Sequence, residues 1–183
     1  MPIGGYFMKE EEKLKKKMPV LLTFDLDGEC LWRCRDPENA NRPVTLSQGR
    51  YGPEVGAPRI LKMLKRYGIN VTFFIPGFTV NQYQQFVKHI VDEGHEIGNH
   101  GWSHAFPDNM DGYETEKMEY WDCSDIMERV TGARPKGYRS PAWEFSLHTL
   151  DILEEMKEIE YSSNMMDADR IKYLKVGDRE TRF

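Results

Sequence analysis

Short apolar runs alternate with stretches of helical period along most of this chain, and each alternation predicts a strand followed by a helix. Residues 20–24 (VLLTF) are β-formers that stop abruptly at Asp25 and Asp27, as expected of a buried strand with polar groups at its C-terminal end. Residues 58–67 put Ile60, Leu61, Leu64 and Tyr67 on one helical face with Gly68 as the stop, and residues 70–75 (NVTFFI) read as the next strand. The unit repeats over 79–93, with Phe86, Val87, Ile90 and Val91 inward and Gly94 as terminator, before a short strand at 95–97. A helix over 114–130, a strand over 137–139, a helix over 147–156 and a strand over 159–162 complete the series. Strands in such a series run parallel and are wrapped by helices, as in an α/β barrel or a doubly wound sheet. Residues 30–58 break the pattern with repeated Pro, Gly and Asn and no sustained period, which predicts a large loop covering a site.

Composition narrows the partners more than the fold. At 183 residues and 39% hydrophobic, the chain suits one domain over 20–183, preceded by a charged extension over 1–19 that reads as a solvated helix. Asp and Glu number 30 against 25 Lys and Arg, so the basic surface that phosphate contact needs is missing and nucleic acid is not an expected partner. No apolar run approaches the roughly 20 residues of a membrane span. The first residues also lack the apolar core and cleavage site of a secretory signal, so a cytoplasmic chain is expected. Cys30, Cys34 and Cys123 form an odd set that reads as reduced thiols, although the spacing of Cys30 and Cys34 leaves a metal or a disulfide open.

The unusual residues collect at the carboxyl ends of the predicted strands, where α/β proteins build their sites. Asp25-Leu26-Asp27 ends the first strand, NHGWSH (99–104) the third, Arg139 to Trp143 the fourth and Ser162-Ser163-Asn164 the fifth. His100 and His104 can aim two imidazoles at one point if the chain turns after its strand, and a carboxylate would complete a facial set with room for water. Taken alone, the same pair could be surface histidines in a loop. Asp25 and Asp27 alternate, so on an ideal strand both face one side. One can hold a cation while the other takes a proton from the attacking water. Arg139 by itself could equally be a surface ion-pair residue, and His148, on a predicted helix, reads as structural.

TFDLDGE at 23–29, NHGWSH at 99–104 and YRSPAWEFS at 138–146 resemble, in order and spacing, the first three motifs of the polysaccharide deacetylases, carbohydrate esterase family 4. The resemblance spans about residues 20–166, including the helix beginning at Arg59. It implies a deformed (β/α) barrel. It also implies a divalent metal, zinc first and cobalt, nickel or iron otherwise, held by Asp27, His100 and His104. Asp25 would then be the catalytic base, Arg139 the residue that orients it, and Trp143 a wall of the substrate groove, with Trp102 and Tyr138 as further substrate contacts. The implied reaction is hydrolysis of a carbon–nitrogen amide bond, with an N-acetylated sugar of a polysaccharide or peptidoglycan as substrate.

The form of the first motif, the glycine-rich stretch at 46–58 and the WEFS sequence look most like the branch that includes peptidoglycan deacetylases of unusual type, cyclic imide hydrolases and metal-free allantoinases, so opening of a cyclic imide or ureide is the alternative. A third reading is a weakly active homologue that keeps the metal. The fourth motif departs from the family pattern, with Ser162-Ser163-Asn164 after Tyr161. Family members also continue for roughly another third of a domain. The expectation is therefore a barrel incomplete on its C-terminal side, lacking the family's late histidine acid and prone to self-association through an open strand edge.

Overall fold

The computed structural model describes residues 20–168, 170–176 and 178–183; the charged extension expected over 1–19 lies outside them. Five parallel strands, β1 (Thr23–Asp25), β2 (Thr72–Ile75), β3 (Glu96–Asn99), β4 (Gly137–Tyr138) and β5 (Tyr161–Ser162), lie side by side in chain order. All neighbouring pairs are parallel, beginning with Thr23 opposite Thr72 and ending with Tyr138 opposite Ser162. A doubly wound sheet reverses its strand order at a switch point; unbroken succession is the winding of a barrel wall. Of the two arrangements the sequence allows, the structure has the barrel type. Among the described residues β5 pairs only with β4, which leaves the wall open on that side.

Helices α3 (Ala57–Tyr67), α5 (Gln84–Asp92), α6 (Gly112–Thr131) and α7 (Thr149–Glu155) pack outside the sheet near the predicted positions. The helix predicted over 79–93 is two, α4 (Gly77–Gln82) and α5, because Tyr83 leaves helical geometry at φ −121°, ψ 41°. Leu61, Leu64, Phe73, Ile75, Val80, Val87, Ile90 and Met127 form the main core. A second core gathers Tyr120, Tyr138, Ile152, Leu153, Met156 and Ile159 around α7. The last residues join it: Phe183 is buried there, and the Arg182 guanidinium donates to the carbonyls of Leu153, Met156 and Ile159 at the end of α7. Two short antiparallel strands, β6 (Lys175–Val176) and β7 (Arg179–Glu180), lead into that anchor.

Residues 30–58 are not the large loop their composition suggests. They fold as α1 (Cys30–Arg35), a 3-10 turn (Pro37–Asn41), α2 (Pro43–Tyr51) and one π turn (Gly52–Gly56) that runs into α3. The misleading prolines, Pro37, Pro43 and Pro53, each stand in a first turn, where a missing N–H costs nothing. Gly49 shows what holds this unit down. A Cβ there would sit 2.5 Å from the Gly28 carbonyl oxygen and 2.8 Å from Glu29 Cα, both backbone atoms that cannot swing aside. Gly49→Ala is therefore expected to lower the unfolding free energy by about 1–3 kcal/mol in urea denaturation, the usual cost of overpacking. An unchanged midpoint would mean that α2 does not rest on this backbone in solution.

Candidate metal centre

Strand β1 ends at Asp25, and the chain then turns sharply inward. Leu26 is buried with its N–H on Phe74 O at 2.9 Å, and Gly28 adopts φ +60°, a left-handed conformation that glycine tolerates. Thr79 Oγ1 donates to Asp27 O at 2.6 Å. Glu29, fully buried, is gripped by Arg50 at 2.6 Å and Arg33 at 2.9 Å. Burial alone would raise the Glu29 carboxyl, but these two guanidiniums hold it below the usual carboxylate range. The turn that carries Asp27 is thus fixed from both sides.

The loop after β3 is fixed as firmly. Asn99 donates to Tyr120 O and Ser124 Oγ while its own oxygen accepts from Gly101 N–H. Glu119 of α6 accepts from the N–H groups of Trp102 and Ser103 and from the Ser103 hydroxyl. His100 and His104 emerge buried, their rings edge to face at 5.0 Å. His100 Nε2 lies 3.5 Å from Asp27 Oδ1, and His104 Nε2 lies 3.6 Å from Asp27 Oδ2.

Those separations are too long for hydrogen bonds, which end near about 3.2 Å. They suit two atoms bonded to one cation, since zinc bonds of about 2.0–2.1 Å at tetrahedral angles leave neighbouring ligand atoms about 3.3–3.4 Å apart. The three ligand atoms all lie within 4.8 Å of one another. Asp27 Oδ1 is buried with no hydrogen-bond partner among the described residues. Burial pushes the Asp27 carboxyl up and both imidazoles down, His104 to about 4. Two neutral imidazoles and a buried carboxylate oxygen without a partner are a donor set that fits a divalent cation.

Asp25 stands beside this cluster with a different partner. Arg139 reaches across the sheet from the end of β4 and donates to Asp25 Oδ1 at 2.6 Å. The same guanidinium donates to Thr23 Oγ1, Ser163 Oγ and Ser163 O, and lies over the Phe74 ring at 4.2 Å. Asp25 Oδ2 has no protein partner among the described residues, so it is open to a substrate or water. Trp143, half exposed at φ +59°, lines with Arg139, Ser163, Met165 and Met166 a groove of about 950 Å³.

The structure thus gathers Asp25, Asp27, His100, His104 and Arg139 at the strand ends, and Arg139 joins them to the groove that Trp143 lines, whose wall includes neither the two acids nor the two histidines. Trp102 rests its indole on Gly77, where a Cβ would meet its ring at 2.4 Å, and packs on the main core. Tyr138 is corrected: it is completely buried, its ring 4.7 Å from that of Tyr120, because on the two-residue strand β4 it points away from the mouth. A residue so placed packs the core and contacts no substrate in this conformation. His148 stands at the N-cap of α7, its ring edge to face with Tyr113. The sequence reading gave Thr23 no part in the site, and placed Ser163 and Asn164 at a strand end without assigning them a role. Asn164 accepts from Ser140 N–H at 2.8 Å and so ties the end of β5 to the Arg139 loop, despite the departure from the family's fourth motif.

The family model for polysaccharide deacetylase matches residues 12–161. A peptidoglycan deacetylase of Helicobacter pylori is 33% identical over 90% of this chain and 56% of its own length. A peptidoglycan deacetylase-like protein of Gibberella zeae is 31% identical over 89% of this chain and 48% of its own. Among solved structures, a Mycobacterium smegmatis chain assigned to the polysaccharide deacetylases superposes with TM-score 0.81 at 37% identity, covering 88% of this chain and 56% of that one. An allantoinase shares the fold at TM-score 0.74 and 19% identity, covering 87% of this chain and 58% of its own. The chain spans about half the length of the curated relatives it matches.

Proposed function

This chain belongs to the polysaccharide deacetylase family, and on that footing we propose that it is a metal-dependent hydrolase of carbon–nitrogen amide bonds that deacetylates N-acetylated sugars. The observation that carries the reading is the buried cluster of Asp27, His100 and His104 with a separately held carboxylate, Asp25, at its side. Asp27, His100 and His104 would hold the metal, zinc by preference, which when bound supplies a Lewis acid that polarises the amide carbonyl. Asp25 takes the proton of the attacking water through its open Oδ2. Arg139 keeps that carboxylate oriented by engaging Oδ1, and it is itself fixed by Thr23 and Ser163. Trp143 walls the groove against which the sugar ring lies. The relatives named as peptidoglycan deacetylases favour a glycan over a small imide. No helix among the described residues is long and apolar enough to cross a membrane.

The direct test supplies the full chain with zinc and measures acetate release from N-acetylglucosamine oligomers beside ring opening of dihydrouracil-like imides. Acetate release that a chelator abolishes is the expected result. Ring opening without acetate would move the protein to the imide class, and zinc bound with neither reaction would leave a binding protein.

A further inference from the structure

The two histidines of the cluster are anchored differently on the ring edge that faces away from Asp27. His100 Nδ1 lies 2.7 Å from the Arg139 carbonyl oxygen, so it carries the ring proton and leaves Nε2 with its lone pair toward Asp27. His104 Nδ1 meets a side chain instead, Cys34 Sγ at 3.5 Å. That sulfur in turn lies 3.4 Å from Leu31 O. With the single S–H of Cys34 directed to Leu31 O, a group that only accepts, the sulfur lone pairs are left facing the imidazole.

We propose that Cys34 is a positioning residue of this centre: its sulfur accepts from His104 Nδ1–H and aims Nε2 at the point shared with Asp27 and His100. This rests on the reading of the cluster as a metal site. Two further features support it. His104 has φ 62°, a left-handed conformation that a histidine seldom takes, so no regular backbone ladder sets the direction of its ring. Its aromatic neighbours, His100 at 5.0 Å and Phe106 at 6.2 Å, wall the ring without bonding either nitrogen. The spacing of Cys30 and Cys34 also acquires a purpose. One helical turn apart, both thiols lie on the face of α1 that meets the 99–104 loop, Cys30 Sγ at the Trp102 carbonyl (4.0 Å) and Cys34 Sγ at His104. Buried Cys30 Sγ also lies 3.8 Å from Thr79 Oγ1, whose hydroxyl proton goes to Asp27 O, and the two thiols together place α1 on the loop by two contacts. Metal-bound histidines commonly have an outer hydrogen-bond partner, and here a thiol would fill that role.

The experiment compares zinc affinity of the wild-type chain with Cys34→Ala and Cys34→Ser, by competition against a chromophoric chelator. Cobalt(II) spectra and urea unfolding of the metal-free forms are recorded alongside. Cys34→Ala is expected to weaken zinc by roughly 10–100-fold, with metal-free unfolding unchanged. Cys34→Ser should recover most of the loss, because its oxygen can accept the same hydrogen. The cobalt spectrum of the wild type should show no thiolate-to-metal band. Equal zinc affinity in Cys34→Ala would overturn the proposal and mean that the competing acceptor, the carbonyl of His104 itself, suffices. A thiolate band would overturn it differently, by making Cys34 a ligand, and a serine variant as weak as alanine would dismiss the hydrogen bond. Failure of the wild type to bind zinc at all is a separate result that removes the metal reading first.

Discussion

Asp25→Asn is expected to lower kcat for deacetylation by about 10²–10⁴, the range by which general bases accelerate proton transfer, while leaving one zinc bound per chain. The substitution keeps the shape of the side chain and an oxygen for the Arg139 Nη1 hydrogen bond, now 2.6 Å long. It removes only the basicity of the oxygen that has no protein partner. Arg139 retains Thr23 and Ser163, so the end of β4 should stay where it is. Zinc content by mass spectrometry of the purified variant, beside initial rates of acetate release, separates the outcomes. Loss of zinc in Asp25→Asn would exchange the roles of the two acids, and an unchanged rate would exclude Asp25 as the base.

The second expected result concerns the ligands. His100→Ala and Asp27→Ala should each abolish stoichiometric zinc binding. Sharing the roughly 10–16 kcal/mol of a four-ligand structural zinc site equally gives about 2.5–4 kcal/mol per ligand, or some 10²–10³-fold in affinity. The two variants should differ in the metal-free state. His100→Ala empties a fully buried position and forfeits the bond to Arg139 O, so it should also destabilise the chain. Asp27→Ala removes a buried oxygen that has no partner among the described residues, and it should cost the metal-free chain little or nothing. Chelator-treated samples unfolded in urea would show this contrast. A full equivalent of zinc retained by His100→Ala would refute the assigned ligand set.

Much of this architecture was legible one residue at a time. Strand β2 was readable as a continuous apolar run, Phe73 to Ile75 all buried, and helix α3 by the helical spacing of its buried Ala57, Leu61 and Leu64, both of which are properties of local order alone. The acids after β1 and the histidines after β3 stood out because charged and imidazole groups directly after apolar runs are expensive unless something uses them. Helices α1 and α2 were not legible. Their prolines and glycines look like loop signals until the contact between Gly49 and the Gly28–Glu29 backbone is seen, and that contact joins segments about twenty residues apart in the chain. Tyr138 shows the complementary failure. On so short a strand, which face a side chain takes depends on the neighbouring strands, and here it turned a candidate substrate contact into core.

By itself, apart from the division of the acids into ligand and base that the family resemblance implied, the sequence determined the succession of the strands and of the helices after residue 56, the strand ends at which polar groups gather, and the two acids and two histidines that stand there. Each of these is carried by neighbours within a few residues, so local hydrophobic period and residue chemistry are enough to reveal it. Only the tertiary structure decided that the strands follow one another around a barrel wall, that Arg139 engages Asp25 from 114 positions away, and that Cys34 stands behind His104. Those facts are distances between segments remote in the chain. They follow from how helices and strands close on a common core, which no single stretch of residues encodes.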